Sequence, residues 1–208
     1  MLALFLLLYA ASSTIYPMRI ITFDIETKNI FQDVGSSDPA ALDVSVVGVH
    51  DSETGEYVGF LEKDFPKMWP LFEHADALVS FNGDHFDIPI LNKYYHGDLS
   101  KMKSVDLMVA VQKSLGRRIK LDTLAESTLG KKKSGNGLEA VTWWRNGEVE
   151  KVMKYCLDDV RVTRELFEYM RDNKSVKYRD QGVIKELKID TTGWDDAPKS
   201  AINFSLPF

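Results

Sequence analysis

Cysteine is almost missing from this 208-residue chain: Cys156 stands alone, so no disulfide can form within it and nothing points to an oxidising compartment. The four histidines, His50, His74, His85 and His96, are scattered, and no Cys/His spacing resembles a zinc site. Positive charge is in deficit too. A formal net charge of −5 argues against a generally basic coat for nucleic acid. There is no internal repeat and no low-complexity segment.

Long apolar runs are equally scarce. Leu2–Ala11 is the longest, and it is too short to span a bilayer comfortably. It has the length of a signal-peptide core, and Ala10-Ala11-Ser12-Ser13 resembles a cleavage region, but no Lys or Arg precedes it. Met18 stands just before the first strand. We take translation to begin there, with residues 1–17 an upstream read-through; a targeting segment is the alternative. A cytoplasmic protein without stable membrane association is expected.

What remains is ordinary for a soluble globular chain: 44% hydrophobic and 27% charged residues, enough for one substantial core. The expected organisation is an apolar extension over 1–17, a main domain over 18–174, and a C-terminal hairpin and tail over 175–208 on the same domain. Charge is unevenly spread. Between Lys101 and Lys133, nine basic residues face Asp106, Asp122 and Glu126, an excess of six in an acidic chain. A solvated face and a phosphate-facing surface both fit such a run.

The pattern that organises the chain is Phe23-Asp24-Ile25-Glu26-Thr27. Ile21, Phe23 and Ile25 alternate with Thr22, Asp24 and Glu26, the period of a strand, so both carboxylates project from one face. Two such acids repel unless a cation or a proton lies between them. Taken alone, the pair also fits a polar edge strand.

Lys28–Leu42 reads as a loop, Val44–His50 and Tyr57–Leu61 as a hairpin, and Asp64 as the cap of a short helix through Phe72. A buried strand over Ala77–Phe81 ends in the turn Asn82-Gly83-Asp84, and a helix follows from near Phe86 to about Tyr95. Met102–Leu107 reads as another strand, then helices over Val109–Leu115 and Leu121–Leu129. Lys131–Gly137 reads as a loop. A helix holding Leu138, Val141 and Trp144 precedes a long one from about Glu148 to Met170. A hairpin turning at Gln181-Gly182 and a loose tail over 191–208 close the chain. The fold class is α/β: a mixed sheet, an antiparallel hairpin plus parallel strands, flanked by helices.

Further acids fall at definite places. Asp87 lies in Asn82-Gly83-Asp84-His85-Phe86-Asp87-Ile88-Pro89-Ile90-Leu91, where a helix begins just past a strand. Asp159 lies in Tyr155-Cys156-Leu157-Asp158-Asp159-Val160. Tyr155 and Asp159, four apart, share one helix face, while Asp158 is turned away by roughly 100°. These three segments resemble the exonuclease motifs of the DEDD superfamily, 3′–5′ exonucleases of ribonuclease H-like fold. Tyr155 four residues before Asp159 matches the DEDDy type; the histidine of the DEDDh type would stand at Lys154. The resemblance covers roughly residues 19–172 and extends to stand-alone bacterial predicted exonucleases.

Asp24, Glu26, Asp87 and Asp159 form an oxygen set suited to hard cations, two ions of Mg²⁺ or Mn²⁺. The resemblance implies that Tyr155 orients or helps deprotonate the attacking water; a core aromatic is its other reading. It also places Thr27, Asn82 and Phe86 beside the terminal nucleotide, though Phe86 also reads as core. Lys131, Lys132 and Lys133 are the preferred phosphate contacts, with a solvated loop as the alternative. Asp106 reads as a further acid or a helix cap, and Trp143 and Trp144 as base-stacking or core residues. The implied partner is nucleic acid with a free 3′ end, single-stranded DNA or RNA, with a polymerase or helicase beside it. A ribonuclease H-like module that binds without cutting is the competing expectation, as is a proofreading subunit.

Overall fold

A computed structural model describes residues 18–131 and 137–196. The apolar extension over 1–17, Lys132 and Lys133, and the tail from 197 onward lie outside the described residues. Five strands form the main sheet: β1 (Ile20–Thr27), β2 (Val44–Asp51), β3 (Tyr57–Phe60), β4 (Ala77–Ser80) and β5 (Ser104–Asp106), in the order β3-β2-β1-β4-β5. β1 pairs antiparallel with β2 and parallel with β4, and β4 pairs parallel with β5. The valine-rich β2 is buried along its whole length because β1 and β3 flank it and helices cover it. This is the mixed sheet the pattern predicts.

Alternation along β1 divides the molecule. Ile21, Phe23 and Ile25 enter one core with Met68, Trp69 and Phe72 of α2 (Phe65–Glu73) and Ile88, Ile90 and Leu91 of α3 (Asp87–Leu91). Thr22, Asp24 and Glu26 face the opposite way, where α7 (Val149–Asn173) lies across β1, β2 and β3. Glu26 stands opposite Val46 in register, and Val46 packs with Ala140 of α6 (Gly137–Arg145) and with Val152, Tyr155 and Cys156 of α7. A third core joins α4 (Leu107–Leu115) and α5 (Leu121–Leu129) to the end of α7 and to the hairpin of β6 (Ser175–Asp180) and β7 (Val183–Lys188).

α7 comes unusually close to the sheet because two glycines clear its path. Gly48 and Gly59 are direct cross-strand partners. A Cβ on Gly48 would lie 2.9 Å from Val160 Cγ2 and 3.0 Å from Cys156 Sγ. One on Gly59 would lie 1.7 Å from Met153 Sδ.

Four expectations need correction. The Lys28–Leu42 loop contains a helical turn, α1 (Phe31–Val34), closed by Gly35 at φ 63°. The Asp64 side chain makes no capping bond to α2 and instead lies 3.9 Å from Lys67. The helix expected to reach Tyr95 ends at Leu91, where Asn92 turns aside to accept from Leu99 N–H at 2.9 Å and the chain tightens into three-residue turns. The segment 191–196 is docked rather than loose: Trp194 is buried and stacks on Phe167 with centroids 5.4 Å apart.

Candidate active site

The β1 strand delivers Asp24 and Glu26 to one face, and α7 lays Asp159 over them. The three can each offer one carboxylate oxygen within 4.8 Å of the others. Glu26 and Asp159 are buried, while Asp24 is half-buried. An all-carboxylate donor set of this spacing fits a hard divalent cation. Asp158, next in sequence, points outward and pairs with Lys154 and Arg161, as helical rotation requires.

Asp87 sits beside this trio without joining it. Placed at the first position of α3, its Oδ1 accepts the Ile25 N–H at 3.1 Å, across from β1. Burial pushes its carboxyl up to about 7, with the negative charges of Asp106 and Asp84 adding and the backbone N–H bonds opposing. Asp87 nevertheless lines the same open cavity as Asp24, Glu26, Asp159 and Tyr155.

That cavity has a volume of about 760 Å³. Ile30, Phe31, Leu42, Phe81, Phe86, Leu138 and Val141 supply apolar wall, and Thr27, Asn82 and Lys120 supply polar rim. Phe86 meets Phe31 edge-on at 6.3 Å. Thr27 Oγ1 donates to Asn29 O at 2.8 Å, fixing the chain as it leaves β1. Tyr155 is buried with its ring edge-on to Trp143 at 5.6 Å. Trp143 and Trp144 pack into the α6–α7 layer and do not line the cavity.

Asp106 settles as a cap, and as more than that. It accepts Met108 N–H at 2.9 Å and Val109 N–H at 3.3 Å at the start of α4. The same carboxylate accepts Asn82 N–H at 2.8 Å and Asp84 N–H at 3.1 Å, holding the turn that carries Asn82 at φ 71°. Burial raises its pKa against the N–H bonds from Asn82, Asp84 and Val109, and the charge of Asp84 adds to the rise.

Behind the trio lies Cys156. Its thiol donates to Asp24 O at 3.3 Å, and burial followed by the charges of Asp24, Glu26 and Asp159 pushes it well above its ordinary value. It fills the space between α7 and the sheet, 3.0 Å from where a Cβ on Gly48 would lie.

A family model of the RNase H superfamily matches residues 21–171. The chain belongs to that superfamily. Its five-stranded mixed sheet with flanking helices is an RNase H-like α/β fold. Among solved structures, the chain is similar to a family B DNA polymerase from the hyperthermophilic archaeon Pyrobaculum calidifontis, with 23% identity and a TM-score of 0.57. The likeness covers 75% of this chain and 25% of the polymerase chain, and at that identity it is a likeness of fold. No curated protein matches the sequence.

Within this RNase H-like domain, Lys131 stands away from the cavity lining and is paired with Glu165 at 2.6 Å. Among the described residues of the basic window, Lys120 is the lysine that reaches the cavity. Of the apolar wall, sequence reasoning finds Phe86 and misses Ile30, Phe31, Leu42, Phe81, Leu138 and Val141. Nothing in the apolar pattern separates a cavity wall from a core position. Among the described residues, no helix is long and apolar enough to cross a membrane.

Proposed function

We propose that this chain is a divalent-metal-dependent 3′–5′ exonuclease that hydrolyses phosphodiester bonds from a free 3′ end of nucleic acid. One observation carries the proposal: the carboxylates of Asp24, Glu26 and Asp159 converge at the floor of a cavity with aromatic walls. Membership of the RNase H superfamily supports nuclease-type chemistry.

In this reading Asp24, Glu26 and Asp159 hold the cation set, with Asp87 completing it from the adjacent wall. A pair of Mg²⁺ or Mn²⁺ ions held there would supply an activated water and positive charge for the leaving oxygen. The residues of the chain do the rest. Tyr155, one helical turn before Asp159, orients the attacking water by its hydroxyl. Phe31 and Phe86 hold the terminal base by stacking and keep bulk water from the reacting phosphate. Asn82 and Thr27 line the path of the terminal sugar.

The test uses the full chain with Mg²⁺ or Mn²⁺ and 5′-labelled single-stranded DNA and RNA of equal length. The expected result is a ladder shortening from the 3′ end that needs metal. Asp159→Ala should lower kcat at least about a thousandfold, since it removes a group that acts on the developing charge. Tight binding of both strands with no ladder would instead support the silent binding module.

The likeness to one quarter of a DNA polymerase chain favours a second reading, an RNase H-like nuclease module working beside a separate polymerase. Co-purification with a polymerase, and stimulation of removal at mismatched primer ends, would decide for it.

A further inference from the structure

We propose that the connection between α4 and α5, residues 116–120, is the landing for the sugar-phosphate backbone of the strand that enters the cavity. The inference rests on the exonuclease reading above. α4 ends at Gly116 with φ 78°, and buried Ile119 pins the connection to the core. Around that anchor, Arg117, Arg118 and Lys120 are exposed, three cations within four residues.

Each is placed differently. Lys120 lines the cavity whose floor holds the acids, and no ion pair engages it among the described residues. The Arg118 guanidinium donates to Asn82 Oδ1, which belongs to the same rim. Arg117 lies 3.4 Å from Asp180 and 5.9 Å from the Tyr178 ring, on the β6–β7 hairpin. Together they trace a line from the cavity rim to the hairpin.

The charge order is what a polyanion needs. A phosphodiester at the acids would be held through cations bound there, whereas the following phosphates would have no metal to meet and need protein cations instead. A chain of net charge −5 repels a nucleic acid at a distance, so a local basic line must orient the approach. Guanidinium and ammonium groups read the backbone and not the bases, so the landing gives affinity without sequence preference. Asn82 gains a role as the link: its carboxamide oxygen holds Arg118 while its N–H is fixed by Asp106.

The test compares the full chain with an Arg118→Ala/Lys120→Ala variant on two substrates. One is a 5′-labelled single-stranded oligonucleotide, assayed from 50 to 200 mM KCl. The other is the p-nitrophenyl ester of thymidine 5′-monophosphate, a small phosphodiester with no backbone beyond the scissile bond. For the oligonucleotide, KM should rise about tenfold with kcat nearly kept, and the log–log salt slope of kcat/KM should become shallower by about 1.4, two contacts at about 0.7 each. Hydrolysis of the ester should stay within about twofold of the original rate, because the interaction lies outside it. Arg118→Lys/Lys120→Arg should restore the slope. Lys63→Ala/Lys67→Ala, which removes the same charge from exposed positions at the start of α2, should leave it unchanged.

An unaltered KM and salt slope, with both substrates still cut, would overturn the landing and leave the exonuclease standing. Equal losses on both substrates would also overturn it, since the two residues would then be supporting the site itself. If the unaltered chain cuts neither substrate, the exonuclease reading fails and takes the landing with it.

Discussion

Asp87 is a carboxyl of the cavity in surroundings hostile to charge. Its ordinary value is 3.8, and in the fold it is held up at about 7, first by burial and then by Asp106. The sign of the consequence is fixed by that direction. The folded state binds this proton more tightly than the unfolded chain, so the stabilisation is complete below about pH 4 and is lost as pH rises through about 7. In EDTA, urea midpoints should fall from pH 4.5 to 8, and Asp87→Asn, which keeps an oxygen for the Ile25 N–H, should remove much of that fall, on the order of a few kcal/mol. Added Mg²⁺ should stabilise the original chain more at pH 8 than at pH 5.5, because a ligand must lose its proton first. Parallel slopes for the two proteins would place the proton elsewhere. At this scale the acids of β1 and Asp159 were legible because periods of two and of 3.6 fix directions along a single element. Lys120 was not. Which cation of the described basic window faces the cavity depends on where the 116–120 connection lands, and no local period carries that information.

Among the elements, α7 has the hardest positional task, since it brings Asp159 to a strand more than 130 residues earlier in the chain. Its packing on Gly48 is the constraint. Val160 is β-branched on a helix, with little rotamer freedom, so a methyl at position 48 displaces the helix rather than the side chain. Gly48→Ala should therefore cost about 1–3 kcal/mol and lower kcat by up to about a hundredfold through displacement of Asp159. For Gly59→Ala the nearest atoms belong to the flexible side chain of Met153, which can swing away, so its cost should be smaller and should be relieved by Met153→Ala. Urea unfolding and single-turnover rates would check both; equal losses at the two positions would contradict the argument. The strands and long helices were legible because burial repeats along them. The end of α3 was not, because Ile88, Ile90, Leu91 and the tyrosines beyond continue an apolar pattern. The signal that stops the helix, Asn92 bonding across to Leu99, is made by residues seven apart.

At the level of the whole molecule, the described chain closes on itself through its C-terminal segment. The sheet and α7 leave one flank, beside α4 and β5, to be covered by the residues after β7. Ile189 and Trp194 do this, joining Phe167, Met170 and Val111 in one core. Lys103, at the entry to β5, donates through Nζ to Trp194 O at 3.0 Å and so ties the segment to the sheet edge. Composition hid this. Asp190, Thr191, Thr192 and Gly193 have the polarity of a loop, and a lone tryptophan in such company gives no period to read. No residue of the segment lines the cavity, so its loss should separate stability from chemistry. Trp194→Ala should lower stability by about 3 kcal/mol, the scale of a large aromatic removed from a core. At a temperature where both proteins are folded, kcat and metal dependence should match the original chain. Melting curves read beside turnover at 15 °C would test the separation. A drop in kcat there would mean that the end of α7, where Phe167 stacks on Trp194, transmits strain along the helix to Asp159.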